Sequence, residues 1–431
     1  MGEMSRFHWA DYVVTVACLL VSLGIGVFFA VFHGGQKTKE EYLLGNRRMS
    51  LAPVCLSLFV TFQSAISLIG SPADIYITGT MVFYNSVGIA FSYVIGYFTV
   101  VPLIYPLHVT SVYEYLGRRF QSTGVRLLGT IIGMIQTLSY MAVALFSPAL
   151  ALQSVAGIPL WMSVAIVGAV GTIYTAIGGI KSVVWTDVFQ SVVIFVGMAT
   201  VLIKGILHVG GFTAMTEIAK DGGRIIFDNV NPDPRERHSV WSCLIGMSVI
   251  WLVGCFNQSA VQRICALKSL ADAKKSFLIN IPLNLLYGAI LLLTGILLYA
   301  YVVTIGCDPY EMMPYFVVHV LSNLPGMAGL YMAMLFSGAL STFSSGINSL
   351  AANTVEDLLA SCIRRWRDAT ITVAAKFIVV VYGVVSIGLA YLLKSLQGPV
   401  TQMSLSAFGA CGGPVLGMFV LGGAFPKGNK Y

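Results

Sequence analysis

Charged residues are scarce in this sequence: they make up 10% of its 431 residues, while 57% are hydrophobic. A soluble core could not bury so much apolar surface, so the composition excludes an ordinary soluble domain. The sequence also lacks a Walker loop, a GxSxG turn and an HExxH pattern, so it has no motif for ATP hydrolysis or for the chemistry of a membrane hydrolase. We therefore expect a membrane protein that is not an enzyme.

Metal and thiol motifs are missing as well. The eight cysteines form no CxxC pair and no Cys/His spacing typical of metal or redox sites. Cys307 falls in a predicted outside loop, where it could form a disulfide with a partner that the sequence does not identify. The Asn257-Gln258-Ser259 match for glycosylation falls inside a predicted membrane span, so we do not expect a glycan there.

Long apolar stretches are what the sequence has in their place. A membrane span needs about 20 mostly apolar residues. Eleven stretches reach that length, roughly 10–32, 51–76, 80–106, 125–152, 158–177, 181–207, 239–264, 274–304, 325–352, 370–394 and 399–424. The first stretch is too long for a removed signal peptide. The pattern predicts an all-α polytopic membrane protein embedded in a lipid bilayer.

Lysine and arginine predict the orientation, because short cytoplasmic loops collect these residues. With the amino terminus outside, 18 of the 25 lysines and arginines lie in inside segments, Arg263 among them. This bias predicts an outside amino terminus and a cytoplasmic carboxyl terminus, most simply in the plasma membrane. It also accounts for the net charge of +7 without nucleic acid as a partner.

Hydroxyl residues interrupt the apolar run Phe336–Asn348. Four polar side chains share one helical face there, and Thr342 and Ser345 lie alongside it: Ser337, Ser341, Ser344 and Asn348. One interpretation is a small-residue seam that lets helices pack closely. The other is a site for a dehydrated hard cation, which would bind hydroxyls together with backbone carbonyls.

Two other spans contain polar residues that lipid should exclude. In the second span these are Thr61, Gln63, Ser64 and Ser67, followed by Gly70, Pro72 and Gly79. The seventh span has a similar interruption at Gly254, Asn257, Gln258 and Ser259. Both patterns are compatible with a kinked packing helix or with a broken helix. A break would be tolerated only where the freed carbonyls line a cavity or bind a ligand.

An acidic residue lies inside the sixth span. Asp187 is about six residues into the span, and Gln190 is on the same face at i+3. A carboxylate in a membrane costs about 3 kcal/mol at the bilayer centre, which favours a functional role. The alternative is an interfacial residue that reaches water or pairs with Lys181.

Four motifs in order carry a resemblance to a known family: "FQSAISLIGSPADIY", "IGGIKSVVWTDVFQ", "NQSAVQR" and "SGALSTFSSGINSLAANTVEDL". Together they resemble the sodium/solute symporter family, in its branch of sodium-dependent multivitamin, sodium-coupled monocarboxylate and iodide transporters. The likeness covers about residues 10–424. It implies a leucine-transporter-like (LeuT) fold, a five-plus-five inverted repeat with broken helices plus one extra N-terminal helix. The single transporter domain would then comprise the extra helix 10–32, a first repeat 51–207 and a second repeat 239–424.

The resemblance also implies where sodium, the expected coupling ion, would bind. Residue by residue, the main site falls on the carbonyls of Val60, Gln63 and Gly338 and on the hydroxyls of Ser341 and Thr342. This favours the cation interpretation of the hydroxyl run. Asp187, with Gln190 beside it, matches the family's acidic position near a second sodium site or the inward release path.

Substrate selectivity is the finer expectation. The positions that resemble cavity residues of the family are Ser64, Ser67, Tyr140, Trp251, Asn257 and Gln258. Sugar and iodide carriers resemble each other in having glutamine where this chain has Ser67, so we expect a small organic anion instead, a monocarboxylate or a carboxylate vitamin such as biotin or pantothenate. The sequence offers no intramembrane arginine as a fixed counter-charge.

Alternatives stay open: a sodium-coupled iodide, inorganic anion or sugar carrier, or a non-transporting membrane sensor that kept the fold. Many family members continue past the point where this chain ends, so a short isoform or fragment is a further alternative.

Overall fold

The computed structural model describes residues 7–32, 38–233, 235–306, 312–321, 323–363, 365–393, 400–425 and 428. Cys307 and the basic residues Lys37, Arg364, Lys427 and Lys430, which entered the orientation argument, lie outside the described residues. The described residues form helices and no β-strand. A single isolated bridge joins Met49 to Leu267.

The described helices follow one another along the whole chain. They are α1 (Trp9–Phe32), α2 (Lys39–Leu44), α3 (Leu51–Thr61), α4 (Ala65–Thr78), α5 (Tyr84–Phe98), α6 (Val100–Ile104), α7 (Tyr113–Phe120), α8 (Thr123–Ala156), α9 (Leu160–His208), α10 (Phe212–Asp221), α11 (Met247–Cys255), α12 (Gln258–Cys265), α13 (Leu270–Ile305), α14 (Met312–Leu321), α15 (Met327–Asn353), α16 (Ala360–Ile363), α17 (Asp368–Leu392) and α18 (Val400–Ala424). Short 3₁₀ and π-helical turns adjoin several of them.

Within the described ranges, eight helical segments are long and apolar enough to cross a membrane, and two bent helix pairs bring the total to ten. The helix α9 has 49 residues, about 74 Å at 1.5 Å per residue, which is more than twice the thickness of a bilayer core. Its backbone is broken at Gly179, with φ 54° and ψ −154°. Gly179 therefore lies between the spans predicted at 158–177 and 181–207, and counting α9 as two spans brings the candidate spans in the described ranges to eleven.

Both expected helix breaks are present. The pair α3 and α4 is bent by 56°, and the pair Ser242–Cys255 and α12 is bent by 57°. The first break lies at Phe62–Ser64, where Ser64 has the extended conformation. Pro72 lies inside α4, so the polar residues mark the break better than the proline does. The prediction that these two spans are broken is confirmed.

The centre of the molecule is α15, which is buried almost from end to end. It packs against α9, α8, α1, α17, α3 and α4. Its glycines and serines leave little side-chain volume, which lets neighbouring backbones come close. At Gly338, for example, a Cβ atom would lie 3.1 Å from the Gln63 carbonyl oxygen and from the Ala65 nitrogen at the first break.

The first helix is anchored to the beginning of α15. The Asp11 carboxylate accepts the Gly329 amide at 3.0 Å, and the Thr15 hydroxyl donates to the Gly329 carbonyl at 3.1 Å. A carboxylate at the start of a helix satisfies amides that have no partner within that helix. A side chain at position 329 would clash with the Asp11 backbone, so glycine is required there.

Candidate functional site

The first break and α15 form a cluster of oxygen atoms. The Thr342 hydroxyl donates to the Thr61 carbonyl at 2.9 Å. The preceding residue, Ser341, is fully buried. The Val60 carbonyl accepts the Gln63 amide at 3.0 Å, so it lies at the same turn. Hydroxyl and carbonyl oxygens are ligands that suit a hard cation. Their chemistry fits a sodium ion as co-substrate.

The structure thus brings the proposed main-site residues Val60, Gln63, Gly338, Ser341 and Thr342 to one junction between α3, α4 and α15. The sequence analysis named Thr61 among the polar residues of this span but did not place it in the sodium site, although its carbonyl is the direct partner of Thr342. The hydroxyl face of α15 is turned toward the broken span, because Thr342 donates to the Thr61 carbonyl and Ser341 is buried.

The other side of the break is fixed by α13. The Gln63 side-chain nitrogen donates to Asn284 Oδ1 at 2.8 Å. Ser67 Oγ lies 2.8 Å from Tyr287 Oη and donates to the Ser64 carbonyl at 2.8 Å. Asn284 and Tyr287 are one helical turn apart, so a single face of α13 holds the non-helical segment in place.

Asp187 is fully buried and makes an ion pair with Arg263, which is also fully buried. Its Oδ2 atom lies 2.9 Å from Arg263 Nη2 and accepts the Ser57 hydroxyl at 2.6 Å. Its Oδ1 atom accepts the Ser341 hydroxyl at 2.6 Å. The interfacial alternative, pairing with Lys181, does not occur, since Lys181 pairs with Glu41 at 2.7 Å.

Arg263 is the main surprise of the site. The expectation that no intramembrane arginine is present is wrong, and counting Arg263 with the cytoplasmic loops hid it. It lies on α12, and its guanidinium donates to Ser57 Oγ at 2.7 Å, to the Ser259 carbonyl at 2.9 Å and to Ser345 Oγ. It therefore connects α12 to α3, α9 and α15.

Gln190 lies one turn beyond Asp187 and is completely buried. Its Nε2 atom reaches Ser22 Oγ on α1 at 3.5 Å. Its Oε1 atom has no hydrogen-bond partner among the residues that the structure describes. An unpaired buried oxygen is costly, and a bound cation would remove that cost.

A small pocket lined in part by Thr61, Phe62 and Thr342 adjoins the first break. Of the six residues proposed to bind substrate, Tyr140 and Asn257 line this pocket. Ser64 and Ser67 lie at the neighbouring turn, and Trp251 packs edge-on against Phe62 with ring centroids 6.0 Å apart.

Gln258 has a different environment. Its side-chain oxygen accepts the Val112 amide at 2.8 Å, and its side-chain nitrogen donates to the Thr110 carbonyl at 2.6 Å. Both contacts hold the segment before α7 to the start of α12. In this conformation, the Gln258 side chain makes hydrogen bonds to the backbone before α7 and does not line the pocket.

Sequence reasoning missed Gln136 on α8. It lines the pocket and is buried, and its Nε2 atom has no partner within the described part of the chain. The signal was weak, because a single glutamine in a long helical span is also typical of polar helix packing.

Comparisons with known proteins agree with this architecture. The model of the sodium:solute symporter family matches residues 42–431. Human sodium-coupled monocarboxylate transporter 1 is 40% identical over 97% of this chain and 70% of its own length. The mouse sodium-coupled monocarboxylate transporter 2 is 40% identical over 99% and 70%, and the rabbit sodium-dependent multivitamin transporter is 39% identical over 99% and 68%.

Among solved structures, a Na⁺-coupled sialic acid symporter superimposes with a TM-score of 0.88, covering 97% of this chain and 88% of that one at 24% identity. That likeness confirms the expected leucine-transporter-like fold. The relatives are transporters and not enzymes, and sodium is their coupling ion. With its many membrane-spanning helices and its match along nearly the whole length, the chain belongs to the sodium:solute symporter family.

Proposed function

We propose that this protein uses a sodium gradient to import a small organic anion, a monocarboxylate or a carboxylate vitamin such as biotin or pantothenate, by alternating access. The observation that carries the proposal is the contact between Thr342 and the Thr61 carbonyl at the break of the second span. It joins the hydroxyls of α15 to freed backbone oxygens, the combination that a dehydrated sodium ion needs.

The names of the relatives support the substrate class. Two monocarboxylate transporters and a multivitamin transporter match this chain at 39–40% identity over 97–99% of its length. Their named cargoes share a carboxylate when the vitamins are biotin or pantothenate. A short hydroxyl at Ser67, in place of a glutamine, leaves more room beside the break.

The pocket itself is uncharged, so the anion requires positive charge from another source. Among the residues that the structure describes, hydroxyl, amide and apolar side chains line the pocket, and none of them is a lysine or arginine. Arg263 is already paired with Asp187. The start of α4 lacks a side-chain cap at Ser64 and presents the positive end of a 14-residue helix. Sodium beside it would supply the remaining charge, which makes binding of the two ions mutually favourable.

Gln136 is the donor that we add to the proposed substrate contacts. Its Nε2 atom, which has no partner among the described residues, belongs to a side chain that lines the pocket together with Tyr140 and Asn257. A carboxylate could accept both the amide and phenol hydrogens, exchanging water for fixed donors.

The two bends support the proposed repeat organisation. Breaks of 56° and 57° occupy corresponding positions in 51–207 and 239–424, as inverted repeats would place them. In this arrangement α1 is the extra helix. The proposed orientation, with an outside amino terminus in the plasma membrane, follows from the distribution of lysine and arginine.

The sodium half is tested with Ser341→Ala combined with Thr342→Ala. Uptake by vesicles should then need at least about tenfold more sodium, since two of the cation's oxygens are lost. The matched control is Ser276→Ala with Thr372→Ala, which removes buried hydroxyls that donate to carbonyls in their own helices. Unchanged sodium dependence in the first variant, with normal surface expression, would refute the assignment.

The substrate half is tested by sodium-dependent uptake of biotin, pantothenate, short monocarboxylates, iodide and glucose. We expect carboxylates to be transported. Ser67→Gln should reduce uptake of a bulky carboxylate more than that of a small anion, because it fills space beside Tyr287. Transport of glucose without any carboxylate would contradict the substrate class, and no transport at all would favour the sensor alternative.

A further inference from the structure

The two oxygen atoms of Asp187 have unequal surroundings. Oδ2 receives Arg263 Nη2 and the Ser57 hydroxyl, whereas Oδ1 receives the Ser341 hydroxyl. A carboxylate offers about four acceptor positions. Across the part of the chain that the structure describes, three hydrogen bonds to Asp187 are present, so Oδ1 retains room for another partner.

We propose that Arg263 is a tethered cation that competes with a sodium ion for Asp187, so that sodium binding there breaks the ion pair that ties α12 to α9. The proposal rests on the sodium-coupled function proposed above and adds a positioning role for Arg263. The residue acts on the ion through Asp187.

Geometry places the competition at the sodium junction. The Ser341 hydroxyl gives its hydrogen to Asp187 Oδ1, so its lone pairs are directed away from the carboxylate. Ser341 and Thr342 are consecutive, and Thr342 reaches the Thr61 carbonyl. A sodium ion approaching Oδ1 therefore meets an oxygen that the main site also uses.

The second observation is the unpaired Oε1 atom of Gln190. It is fully buried, one helical turn from Asp187 on the same face. Within the described residues, no donor makes a hydrogen bond to this Oε1 atom. A cation held by Asp187 and Gln190 would satisfy both, whereas the guanidinium serves only Asp187.

Electrostatics makes the two cations exclude each other. Both Arg263 and Asp187 are fully buried, where charges interact far more strongly than in water. A sodium ion on Oδ1 would lie within a few ångströms of the guanidinium on Oδ2, and the single negative charge cannot compensate both. Sodium binding therefore weakens the bond between Arg263 and Asp187.

Release of Arg263 has a mechanical consequence. Arg263 lies near the end of α12, the short half of the broken seventh span. Its guanidinium contacts Ser57, Asp187 and Ser345 on three other helices. Loss of the bond to Asp187 removes the ion pair between α12 and α9, which couples ion binding to movement of this half-helix.

The test is a sodium titration of the purified protein in which the melting temperature is measured at each sodium concentration. Choline replaces sodium so that the ionic strength stays constant. Arg263→Gln removes the competing charge, so sodium should bind about tenfold or more tightly. Arg263→Lys keeps the charge and should retain an affinity near that of the wild type. Arg126→Gln removes the partly exposed arginine that pairs with the buried Asp357, and it should leave sodium affinity unchanged.

A milder variant covers the case in which Arg263→Gln does not fold. Ser57→Ala removes an acceptor of Arg263 Nε and should tighten sodium binding by roughly fivefold, the effect of losing one hydrogen bond. In vesicles, both variants should lower the sodium concentration for half-maximal uptake and also lower the maximal rate, since the ion leaves more slowly.

The outcomes separate the two proposals. Weaker or unchanged sodium binding in both Arg263→Gln and Ser57→Ala, with sodium-dependent uptake intact in the wild type, overturns the competition alone. No sodium stabilisation and no sodium-dependent uptake in the wild type overturns the proposed function as well. An equal effect in Arg126→Gln would show a general response to lost ion pairs and also overturn the competition.

Discussion

Two buried carboxylates in this protein have nearly the same set of partners and very different neighbours. Asp187 accepts one arginine and two hydroxyls, from Ser57 and Ser341. Asp357 likewise accepts one arginine, Arg126 Nε at 2.7 Å, and two hydroxyls, from Ser111 at 2.5 Å and Thr130 at 3.0 Å.

The difference lies in access to water and in what the hydroxyls adjoin. The Arg126 side chain is 24% exposed, whereas that of Arg263 is 1% exposed. The Asp357 cluster lies in the π-helical turn Thr354–Leu358 after α15, and Arg126 also donates to the Glu356 carbonyl at 2.9 Å. The same chemical groups thus fasten a helix end in one place and adjoin the proposed ion site in the other.

Removing the arginines should give the largest contrast. Arg263→Ala leaves a buried carboxylate without its counter-charge, which should lower the free energy of unfolding by about 3–5 kcal/mol. Arg126→Ala should cost about 1–2 kcal/mol, because water can reach the vacated position. Thermal unfolding in detergent, without sodium, measures both. Sodium should partly restore the Arg263→Ala protein, and equal losses in the two variants would contradict the comparison.

Neutralising the carboxylates should separate the clusters by function. Asp187→Asn keeps the shape of the side chain but removes the charge that attracts a cation, so uptake should need at least about tenfold more sodium or turn over more slowly. Asp357→Asn should keep the sodium requirement within about twofold. Sodium-activation curves in vesicles check this, and wild-type coupling in Asp187→Asn would count against any role in ion binding or release.

Deleting one hydroxyl should have the smallest effect. Ser57→Ala leaves a buried guanidinium N–H and one carboxylate acceptor unpaired, at a cost of about 1–3 kcal/mol. Thr130→Ala should cost about 1 kcal/mol, since Asp357 keeps Arg126 and Ser111. Melting curves of the two variants in the same detergent would show the order, and a greater loss in Thr130→Ala would reverse it.

The same comparison shows what could be predicted from the sequence. The breaks were predictable because polar residues such as Gln63 and Asn257 interrupt long apolar stretches, and that signal is local. The gathering of Ser341, Thr342 and the first break followed from the family resemblance. The fold could be predicted from the order of the family motifs alone, without knowledge of which residues are in contact.

Arg263 could not be placed in this way. Charge counting assigns an arginine near the end of a span to the cytoplasm. Its partner Asp187 is 76 residues away in the chain, and no local pattern records such a pairing. The roles of Gln136 on α8 and Gln258 on α12 could not be predicted either, because neither glutamine belongs to a local pattern that shows its partner. Which of them lines the pocket depends on long-range contacts, such as those of Gln258 with Thr110 and Val112, that only the folded chain defines.

The anchor between Asp11 and Gly329 has a consequence for biosynthesis. These residues are separated by 318 positions, so the Asp11 carboxylate of α1 acquires its amide partner only after α15 has been made. At a synthesis rate of about 5–20 residues per second, the delay is roughly 16 to 64 s. During that time α1 can pack against α9 but lacks its anchor on α15. A residue larger than glycine at position 329 would clash with the Asp11 backbone, so α1 would never acquire this anchor.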